Sequence, residues 1–369
     1  MGLRKAGAMH VSMGAPLSAA AFGLLVAITA SAASAIPRTF VASSGQDSHA
    51  CTRAQPCRGF AAALALTDAG GEIVVLDSAG YGPVTVAKPV SIISPAGVYA
   101  GVSVPAGQDG ITVNAGASDK VVLRGLSING QGGNNGVVVT VAGQVSIENC
   151  VIANMGVDGV RINGGSFVNV ADSTLRSNGN IGLDVLAGAA QIQVDDSRIS
   201  NNGSAGIFMS TGGGLTLNRV SVQNNGLSGL QINPSSAATV NATVLDSAFT
   251  GNSGSGVIAF ANLAGVILHV SVAGSASLRN GGNGFRAEGS TGSTTFVISN
   301  SVGNDNGGNG LVASGAGTIV STSGGTYSRN LGFGFFQASG ALLRSHGNNA
   351  VNNNTLSETS GSITTIGLI

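Results

Sequence analysis

The sequence predicts an all-β protein built as a parallel β-helix, a coil of short strands in which each turn stacks on the turn before it. A short helix is expected to close its N-terminal end. Three observations support this fold: a repeat of about 25 residues, alternating apolar residues within each repeat, and a composition of 59 Gly and no Trp among 369 residues. A repeat of this length is typical of solenoids, in which each repeat forms one supersecondary unit.

The first 35 residues predict a signal peptide. Arg4 and Lys5 give a basic start, an apolar stretch follows, and Ala33-Ser34-Ala35 forms a cleavage site before Ile36. The apolar stretch is short for a membrane span, and an uncleaved signal anchor is the alternative. We therefore expect a secreted, periplasmic or cell-surface protein with no transmembrane segment in its mature chain.

The mature composition excludes several classes of protein. Without Arg4 and Lys5 the chain has 14 basic and 16 acidic residues, so no basic surface for nucleic acid is expected. Apolar residues make up 43% of the chain, which is too many for a disordered protein. Glycine does not recur every third residue, which excludes collagen. We expect a monomer.

Cys51 and Cys57 are six residues apart in "HACTRAQPCRGF" and predict a small disulfide loop in an exported chain. A metal site is the alternative, but His49 is the only further ligand nearby. Cys150 lies in the alternating stretch "SIENCVI" and is expected to be a buried free thiol.

The segment after the loop predicts the N-terminal helix. Residues Arg58 to Asp68 place Phe60, Leu64 and Thr67 on one helical face, and Gly70-Gly71 end the pattern. Residues 36–71 are thus predicted to form the disulfide loop and the capping helix, and residues 72–369 the β-helix.

A glycine followed by an apolar residue marks each repeat, and an asparagine usually stands four residues before it. The glycines are Gly136, Gly159, Gly182, Gly206, Gly229, Gly256, Gly284, Gly310 and Gly334, and the asparagines are Asn178, Asn202, Asn225, Asn252, Asn280, Asn306 and Asn330. Asn and Gly tolerate left-handed backbone conformations, and stacked Asn amides can bond to one another. We interpret this motif as a corner of the coil.

The residues after each repeat glycine predict a half-buried strand. In "VRI", Val160 and Ile162 are expected to point inward and Arg161 outward. In "LDV", the next repeat, Asp184 takes the outward position. Stacked turns then form parallel sheets whose strands are about 4.8 Å apart.

These features resemble the bacterial right-handed parallel β-helix proteins of the pectin-lyase-like superfamily, over most of Thr39 to Ile369. The resemblance rests on "CTRAQPCRGFAAALA", "GGEIVVLDSAGYGPVTV", "VVLRGLSINGQGGNNGV", "VSIENCVI" and the repeated Asn-x-x-x-Gly corners. It implies a right-handed coil, as does the general preference of parallel crossovers. It does not select a function, since this fold carries lyases, hydrolases, epimerases and non-catalytic surface proteins.

The first candidate site lies ten residues before the repeat glycine. This position holds Asp172, Asp196, Arg219 and Asp246, here called the corner strip. Stacked carboxylates could form an acid and nucleophile pair or bind Ca²⁺, and no other cofactor is expected. Alternatively each Asp of the Asp-Ser pairs caps a corner by accepting backbone N–H groups, with Arg219 as a counter-charge.

The second candidate site is a binding site. Arg161 and Asp184 occupy outward positions of adjacent turns, where the usual arrangement is an exposed cross-strand ion pair. Asp195 and Arg198 stand beside the corner strip and are further candidates for binding. The histidines are scattered and give no spacing typical of a metal site or a catalytic triad.

Two functions remain open from the sequence. The chain is an exported, non-catalytic β-helix that binds a polysaccharide or a protein partner through flat sheet faces, or it is a lyase, glycoside hydrolase or epimerase of an acidic polysaccharide. The absence of Trp and the presence of only three Tyr favour the first, because sugar-cleaving grooves usually hold rings against aromatic side chains.

Overall fold

The computed structural model describes residues 36–186 and 190–367, and these residues form a parallel β-helix. Three strands make up each turn, and twelve turns stack into three parallel sheets. The predicted all-β solenoid is therefore confirmed. The predicted signal peptide, residues 1–35, lies outside the described residues.

Sheet A has fourteen strands: β1 (Arg38–Val41), β2 (Gly71–Val75), β5 (Val90–Ile93), β8 (Lys120–Arg124), β11 (Gln144–Glu148), β14 (Phe167–Ala171), β17 (Ala190–Asp195), β20 (Gly213–Asn218), β23 (Thr239–Leu245), β26 (Ile267–Ala273), β29 (Ser293–Ser299), β32 (Thr318–Ser323), β35 (Leu342–Ser345) and β38 (Ile363–Thr365). Sheet B has twelve: β3 (Ala79–Gly80), β6 (Ala100–Pro105), β9 (Leu126–Gln131), β12 (Val151–Ala153), β15 (Thr174–Arg176), β18 (Arg198–Ser200), β21 (Ser221–Gln223), β24 (Ala248–Thr250), β27 (Ala276–Leu278), β30 (Val302–Asn304), β33 (Thr326–Ser328) and β36 (Ala350–Asn352). Sheet C also has twelve: β4 (Val84–Val86), β7 (Ile111–Asn114), β10 (Val137–Val141), β13 (Val160–Ile162), β16 (Leu183–Val185), β19 (Ile207–Met209), β22 (Leu230–Ile232), β25 (Val257–Ala261), β28 (Phe285–Gly289), β31 (Leu311–Ser314), β34 (Phe333–Ala338) and β37 (Ser357–Ser360).

The core runs along the inside of the coil as columns of apolar side chains. Strand β13 pairs with β16 in the register Val160 with Leu183, Arg161 with Asp184, and Ile162 with Val185. The four aliphatic residues of this set are fully buried, as the alternation predicts. Each inward residue thus meets its equivalent in the next turn, which removes apolar surface from water along the whole coil.

The corner between sheets B and C is held by a ladder of buried asparagines. The side-chain amide of Asn202 donates to Oδ1 of Asn225 at 2.9 Å, and the backbone N–H of Asn202 donates to the same oxygen at 3.1 Å. The ladder runs from Asn178 through the predicted positions to Asn330 and continues to Asn354. The predicted stacking of the amides is confirmed.

The repeat glycine is explained by the same ladder. A Cβ atom on Gly206 would lie 2.8 Å from the carbonyl oxygen of Gly229 and 2.9 Å from Nδ2 of Asn225. No side chain fits between the turns at this point, so an asparagine and a glycine are required together. The left-handed residue of the corner is the one before the ladder asparagine, for example Asn224 with φ of 52°.

The N-terminal segment contains a strand that the sequence-based prediction did not place there. Strand β1 pairs with β2 in the register Arg38 with Glu72, so sheet A begins ahead of residue 72. The short stretch Arg38–Val41 alternates exposed and buried residues, which suits an edge strand. The sequence did not reveal this strand, because the disulfide loop and α1 separate it from the repeats.

The predicted helix is present but shorter, at Phe60–Leu66 (α1), with Phe60, Ala63 and Leu64 buried. It contacts β1, β2 and β4. Thr67 follows the helix and is buried. Its hydroxyl contacts that of Thr39 and donates to the carbonyl of Ala63. That α1 serves as a cap for the coil stays a prediction.

The cysteines are placed as expected. Cys51 is joined to Cys57, and Cys150 is free and buried. Burial raises the pKa of the Cys150 thiol to about 11, so this group is not a nucleophile near neutral pH. Among the residues that the structure describes, no helix combines the length and the apolar character of a membrane span.

Candidate functional site

The two predicted sites lie on different parts of the coil. The corner strip follows the sheet A strands, at the corner where the chain turns from sheet A into sheet B. Arg161 and Asp184 lie on the outer face of sheet C, which forms the third side of the coil. The two groups therefore cannot act together on one ligand.

All four residues of the corner strip have left-handed backbones. The φ angles are 51° at Asp172, 48° at Asp196, 54° at Arg219 and 47° at Asp246. Asp tolerates this conformation better than most residues, because its short polar side chain costs little there. The strip is thus the consequence of a corner that repeats in each turn.

Serine, and not aspartate, caps this corner. The N–H of Ser173 donates to Oγ of Ser197 at 3.0 Å, and Oγ of Ser197 donates to the carbonyl of Asp195 at 2.7 Å. The serines at 247, 275 and 301 repeat the same bonds. The predicted capping by the Asp carboxylates is wrong, because a left-handed residue directs its side chain out of the corner while the following serine is buried.

The carboxylates of the strip are exposed. Arg219 holds Asp196 through two bonds of 2.6 Å each, and this guanidinium lowers the pKa of Asp196. Asp172 and Asp246 make no side-chain hydrogen bond to the residues that the structure describes. An exposed ion pair of this kind contributes little to stability, and it leaves no poised acid.

The other predicted binding residues do not converge either. Asp195, on the outer face of sheet A, accepts hydrogen bonds from Gln193 and Asn218 at 2.8 and 3.1 Å. Arg198 lies on sheet B and reaches Gln223 at 3.5 Å. Within residues 36–186 and 190–367, no three His, Cys, Asp or Glu side chains are grouped to hold a metal ion.

On sheet C the expected exposed ion pair is replaced by a buried cluster. Asp184 is 3% exposed, and Arg161 pairs with Asp158 at 3.4 Å and not with Asp184. Asp158 is completely buried; Asn180 Nδ2 and the N–H of Ile181 donate to its Oδ1 at 2.9 and 3.0 Å. The side chain of Asp184 points outward from its strand but lies close to the corner that carries Asp158. Both carboxyl groups are buried there.

The carboxyl group of Asp184 has an unusual environment and a raised pKa. Its Oδ1 is buried and has no hydrogen-bond partner among the described residues. Burial, and next the negative charge of Asp158, raise the pKa of Asp184 to about 7, against the opposing effect of Arg161. Burial raises few carboxyl pKa values this far, and groups of this kind are frequent at functional sites.

Asp158 was not predicted from the sequence, because it stands directly before a repeat glycine, a position without a charged residue in the other repeats. The other repeats have Asn135, Ile181, Ala205, Ser228, Ser255, Asn283, Asn309 and Phe333 at this position. A single charged residue in an otherwise uncharged column, three residues before Arg161, was the available signal.

Beyond Asp184, the outer face of sheet C continues as a column of aromatic, amide, aliphatic and guanidinium side chains. Register places Asp184 beside Phe208, Phe208 beside Gln231, Gln231 beside Ile258, and Ile258 beside Arg286, followed by Val312 and Phe336. The column from Arg161 to Phe336 is here called the sheet C column. Arg286 bonds Glu288 at 2.5 Å and lies over the ring of Phe260 at 5.1 Å.

Sheet A offers a contrasting surface. Its strands β20, β23, β26, β29 and β32 carry no Asp, Glu, Lys, Arg or outward aromatic residue. The outward residues in the middle of this face are Thr216, Thr243, Ser271, Val297 and Ser321. Charged and aromatic groups are therefore combined along sheet C and not along this part of sheet A.

The comparisons with known proteins agree with this architecture. The family model described as a right handed beta helix region matches residues 109–275. Among solved structures, the A-module of the Azotobacter vinelandii mannuronan C-5 epimerase AlgE6 is similar over 81% of this chain and 91% of its own, at 16% identity and a TM-score of 0.55. The AlgE4 A-module from the same organism covers 80% and 89%, at 14% identity and a TM-score of 0.51. No curated protein sequence matches the chain. At these identities the likeness shows a fold and its right-handed coil.

Proposed function

We propose that this chain, a right-handed parallel β-helix of the pectin-lyase-like type, is an exported protein that binds a polysaccharide along sheet C without cleaving it. The single observation that carries the proposal is the sheet C column. It combines cationic, amide, aliphatic and aromatic side chains in one line that runs parallel to the coil axis.

The spacing of this column suits an extended sugar chain. Neighbouring strands are about 4.8 Å apart, so the column advances by one residue at each turn along a linear ligand. Its partly exposed members beyond Arg161 are Phe208, Gln231, Arg286 and Phe336, and the residues between them are buried. Phe208 and Phe336 offer apolar faces to sugar rings, and Gln231 offers an amide to hydroxyl groups. Arg161 and Arg286 add two cations, each beside a carboxylate of its own strand or corner.

Two further points support a polysaccharide ligand and an exported protein. The two similar A-modules belong to mannuronan C-5 epimerases, so this fold occurs in proteins that act on a polysaccharide. The expected signal peptide and the Cys51–Cys57 disulfide fit an oxidising compartment. A secreted, periplasmic or cell-surface protein is consistent with both.

The absence of turnover is proposed from the state of the corner strip. Its carboxylates are exposed on a corner, Asp196 is neutralised by Arg219, and sheet C lies on another side of the coil. Catalysis requires groups that converge on one bond, with a poised acid or base. The strip offers neither.

An enzyme of acidic polysaccharide is the second candidate, and the buried cluster on sheet C favours it. Glycoside hydrolases use a pair of carboxyl groups, one of them protonated near neutral pH. Asp184 and Asp158 meet this description in part, but burial keeps Oδ1 of Asp184 from a ligand in this conformation. An enzymatic role would require the cluster to open.

The test is a binding screen of the purified mature protein by affinity electrophoresis against polygalacturonate, alginate and dextran. We expect retardation by at least one polymer, weakened several-fold in Phe208→Ala and Arg286→Ala. Thr243→Ala on sheet A is the matched control and should bind as the wild type does. Retention of a protein partner with no polysaccharide bound would contradict the proposal.

The same samples decide between binding and catalysis. New reducing ends, new ultraviolet absorbance or a change of uronate configuration, lost in Asp184→Asn, would establish the enzyme. A melting temperature that rises with Ca²⁺ in the wild type but not in Asp196→Asn would assign a calcium site to the corner strip. We expect neither result.

A further inference from the structure

The buried cluster on sheet C has one positive charge for two carboxyl groups. Arg161 is the cation, with 33% of its side chain exposed, and it bonds Asp158. Asp184 and Asp158 lie on adjacent turns and are both buried. If both carboxyl groups were ionised, one buried negative charge would have no counter-charge, which is a costly arrangement.

The hydrogen bonds of the cluster distinguish the two carboxyl groups. Asp158 receives hydrogen bonds from Asn180, Ile181 and Arg161, and these donors stabilise a carboxylate. Asp184 has a buried Oδ1 with no donor among the described residues. Its neighbours on the packed strands are Arg161 on β13 and the uncharged Phe208 on β19. Asp184 is thus the carboxyl group of the two that lacks donors to stabilise a negative charge.

We propose that Asp184 holds a proton, and that this proton controls the affinity of sheet C for an anionic polysaccharide. The inference rests on the proposed function of sheet C and adds its regulation. The proton can leave to solvent and return from it, so no other reactant is required.

The effect on a ligand follows from the charge of the cluster. With the proton bound, one carboxylate and one guanidinium balance, and Arg161 can meet a sugar carboxylate. Without the proton, the cluster has a net charge of −1, which repels an anionic chain and holds Arg161 between two carboxylates. The pKa of Asp184, about 7, places this change near neutral pH. The affinity should therefore be high in mildly acidic solution and lower in mildly alkaline solution.

The experiment measures binding of the full mature protein to polygalacturonate at about pH 5.5 and about pH 8.5, with dextran as the neutral probe. We expect the affinity for polygalacturonate to fall about tenfold between the two conditions, and that for dextran to change little. Asp184→Asn, which resembles the protonated acid, should retain the acidic affinity at both. Asp305→Asn is the matched control, since it removes an exposed carboxylate of another corner, and it should keep the wild-type dependence.

A second readout follows the proton itself. In the wild type, carboxyl ¹³C chemical shifts should show one Asp that titrates near neutral pH. In Asp184→Asn this titration should be absent. The titration of the wild type tests for the proton even if the variant fails to fold.

The possible failures are distinguishable. Equal affinity for polygalacturonate at both pH values, or a pH dependence that persists in Asp184→Asn, would overturn the inference while the proposed function stands. The absence of an Asp that titrates near neutral pH would also overturn it. No binding of any polysaccharide in either condition would overturn both.

Discussion

At the scale of single residues, burial alone does not determine what a polar side chain costs. Asn225 and Asp184 are both buried. The oxygen of Asn225 accepts two hydrogen bonds from Asn202, and its amide donates to Asn252, so its polar groups are satisfied. Oδ1 of Asp184 has no donor within the described part of the chain. The first residue stabilises the coil, and the burial of the second favours its protonated form.

Asp184→Asn should therefore stabilise the protein in alkaline solution. The raised pKa means that the native state binds more protons than the unfolded state between about pH 4 and pH 7. Stability thus falls as pH rises through this window, and the loss is complete above about pH 7. We expect the variant to be more stable than the wild type by roughly 2–4 kcal/mol at about pH 8.5, and by little at about pH 4. Urea unfolding at several pH values measures this difference. A difference that does not grow with pH would contradict it.

Asn225→Leu should be strongly destabilising. The substitution leaves the backbone N–H and one side-chain N–H of Asn202 buried without their acceptor, while the oxygen of Asn252 keeps the backbone N–H of residue 225 as a donor. We expect a loss of roughly 2–4 kcal/mol, since each unsatisfied buried group costs about 1–3 kcal/mol. Asn241→Leu, on the outer face of sheet A, is the control and should change the free energy of unfolding by less than about 0.5 kcal/mol. Similar losses in the two variants would show that the ladder bonds carry no stability.

At the scale of elements, each corner is defined by two neighbouring residues with different tasks. At the corner between sheets A and B, Asp196 has the left-handed backbone and Ser197 makes the bonds between turns. The sequence shows that Asp-Ser recurs but does not show which of the two side chains holds the corner. In the structure the serine makes the bonds of the corner, and the aspartate does not.

Ser197→Ala should consequently cost more stability than Asp196→Asn. The serine variant leaves the buried N–H of Ser173 without an acceptor, a loss of about 1–2 kcal/mol. The Asp196 variant keeps a residue that tolerates the left-handed conformation, and it should change neither stability nor polysaccharide binding measurably. Thermal unfolding and the binding assay applied to both variants check this order. The reverse order would restore the corner strip as a candidate site.

The elements themselves could be predicted in large part from the sequence. A repeat with a fixed Asn-to-Gly distance determines where strands and corners fall, because the ladder amide and the glycine contact each other between turns. The state of Asp184 could not be predicted in this way. Alternation shows that a residue points outward, but whether it is covered depends on neighbours such as Asp158, which lies one turn away and on a corner. Strand β1 was missed for a related reason, since its partner lies beyond the loop and α1.

At the scale of the whole molecule, the length of a repeat is reflected in the length of its strand in sheet A. The shorter repeats, in which successive ladder asparagines are 24 or 23 positions apart, contain the three-residue strands β16 and β19 of sheet C and the six-residue strands β17 and β20 of sheet A. The longer repeats, with ladder intervals of 27, 28 and 26 positions, carry the seven-residue strands β23, β26 and β29 of sheet A. The added residues thus lengthen the strands of sheet A, which stay paired in continuous register.

Loss of the Cys51–Cys57 disulfide should loosen one end of the coil and leave the rest intact. The loop pairs with β1, since Ala42 donates to the carbonyl of Cys57 and Cys57 donates to that of Phe40. In a solenoid each turn depends mainly on its neighbours, so the terminal element opens first. In Cys51→Ser/Cys57→Ser, hydrogen exchange of the β1 and α1 amides should accelerate at least tenfold, while that of β20 stays unchanged. Uniform acceleration along the coil would contradict local opening.

The asparagine ladder also gives the coil a polarity. Each amide and backbone N–H of one turn donates to an oxygen of the following turn, from Asn178 to Asn354. Every turn therefore takes its acceptor from the turn on its C-terminal side, and a coil cut between two turns leaves unpaired donors on one cut face and unpaired acceptors on the other. The ladder ends at Asn354, whose amide donates to Glu358 at 2.9 Å in place of a further asparagine.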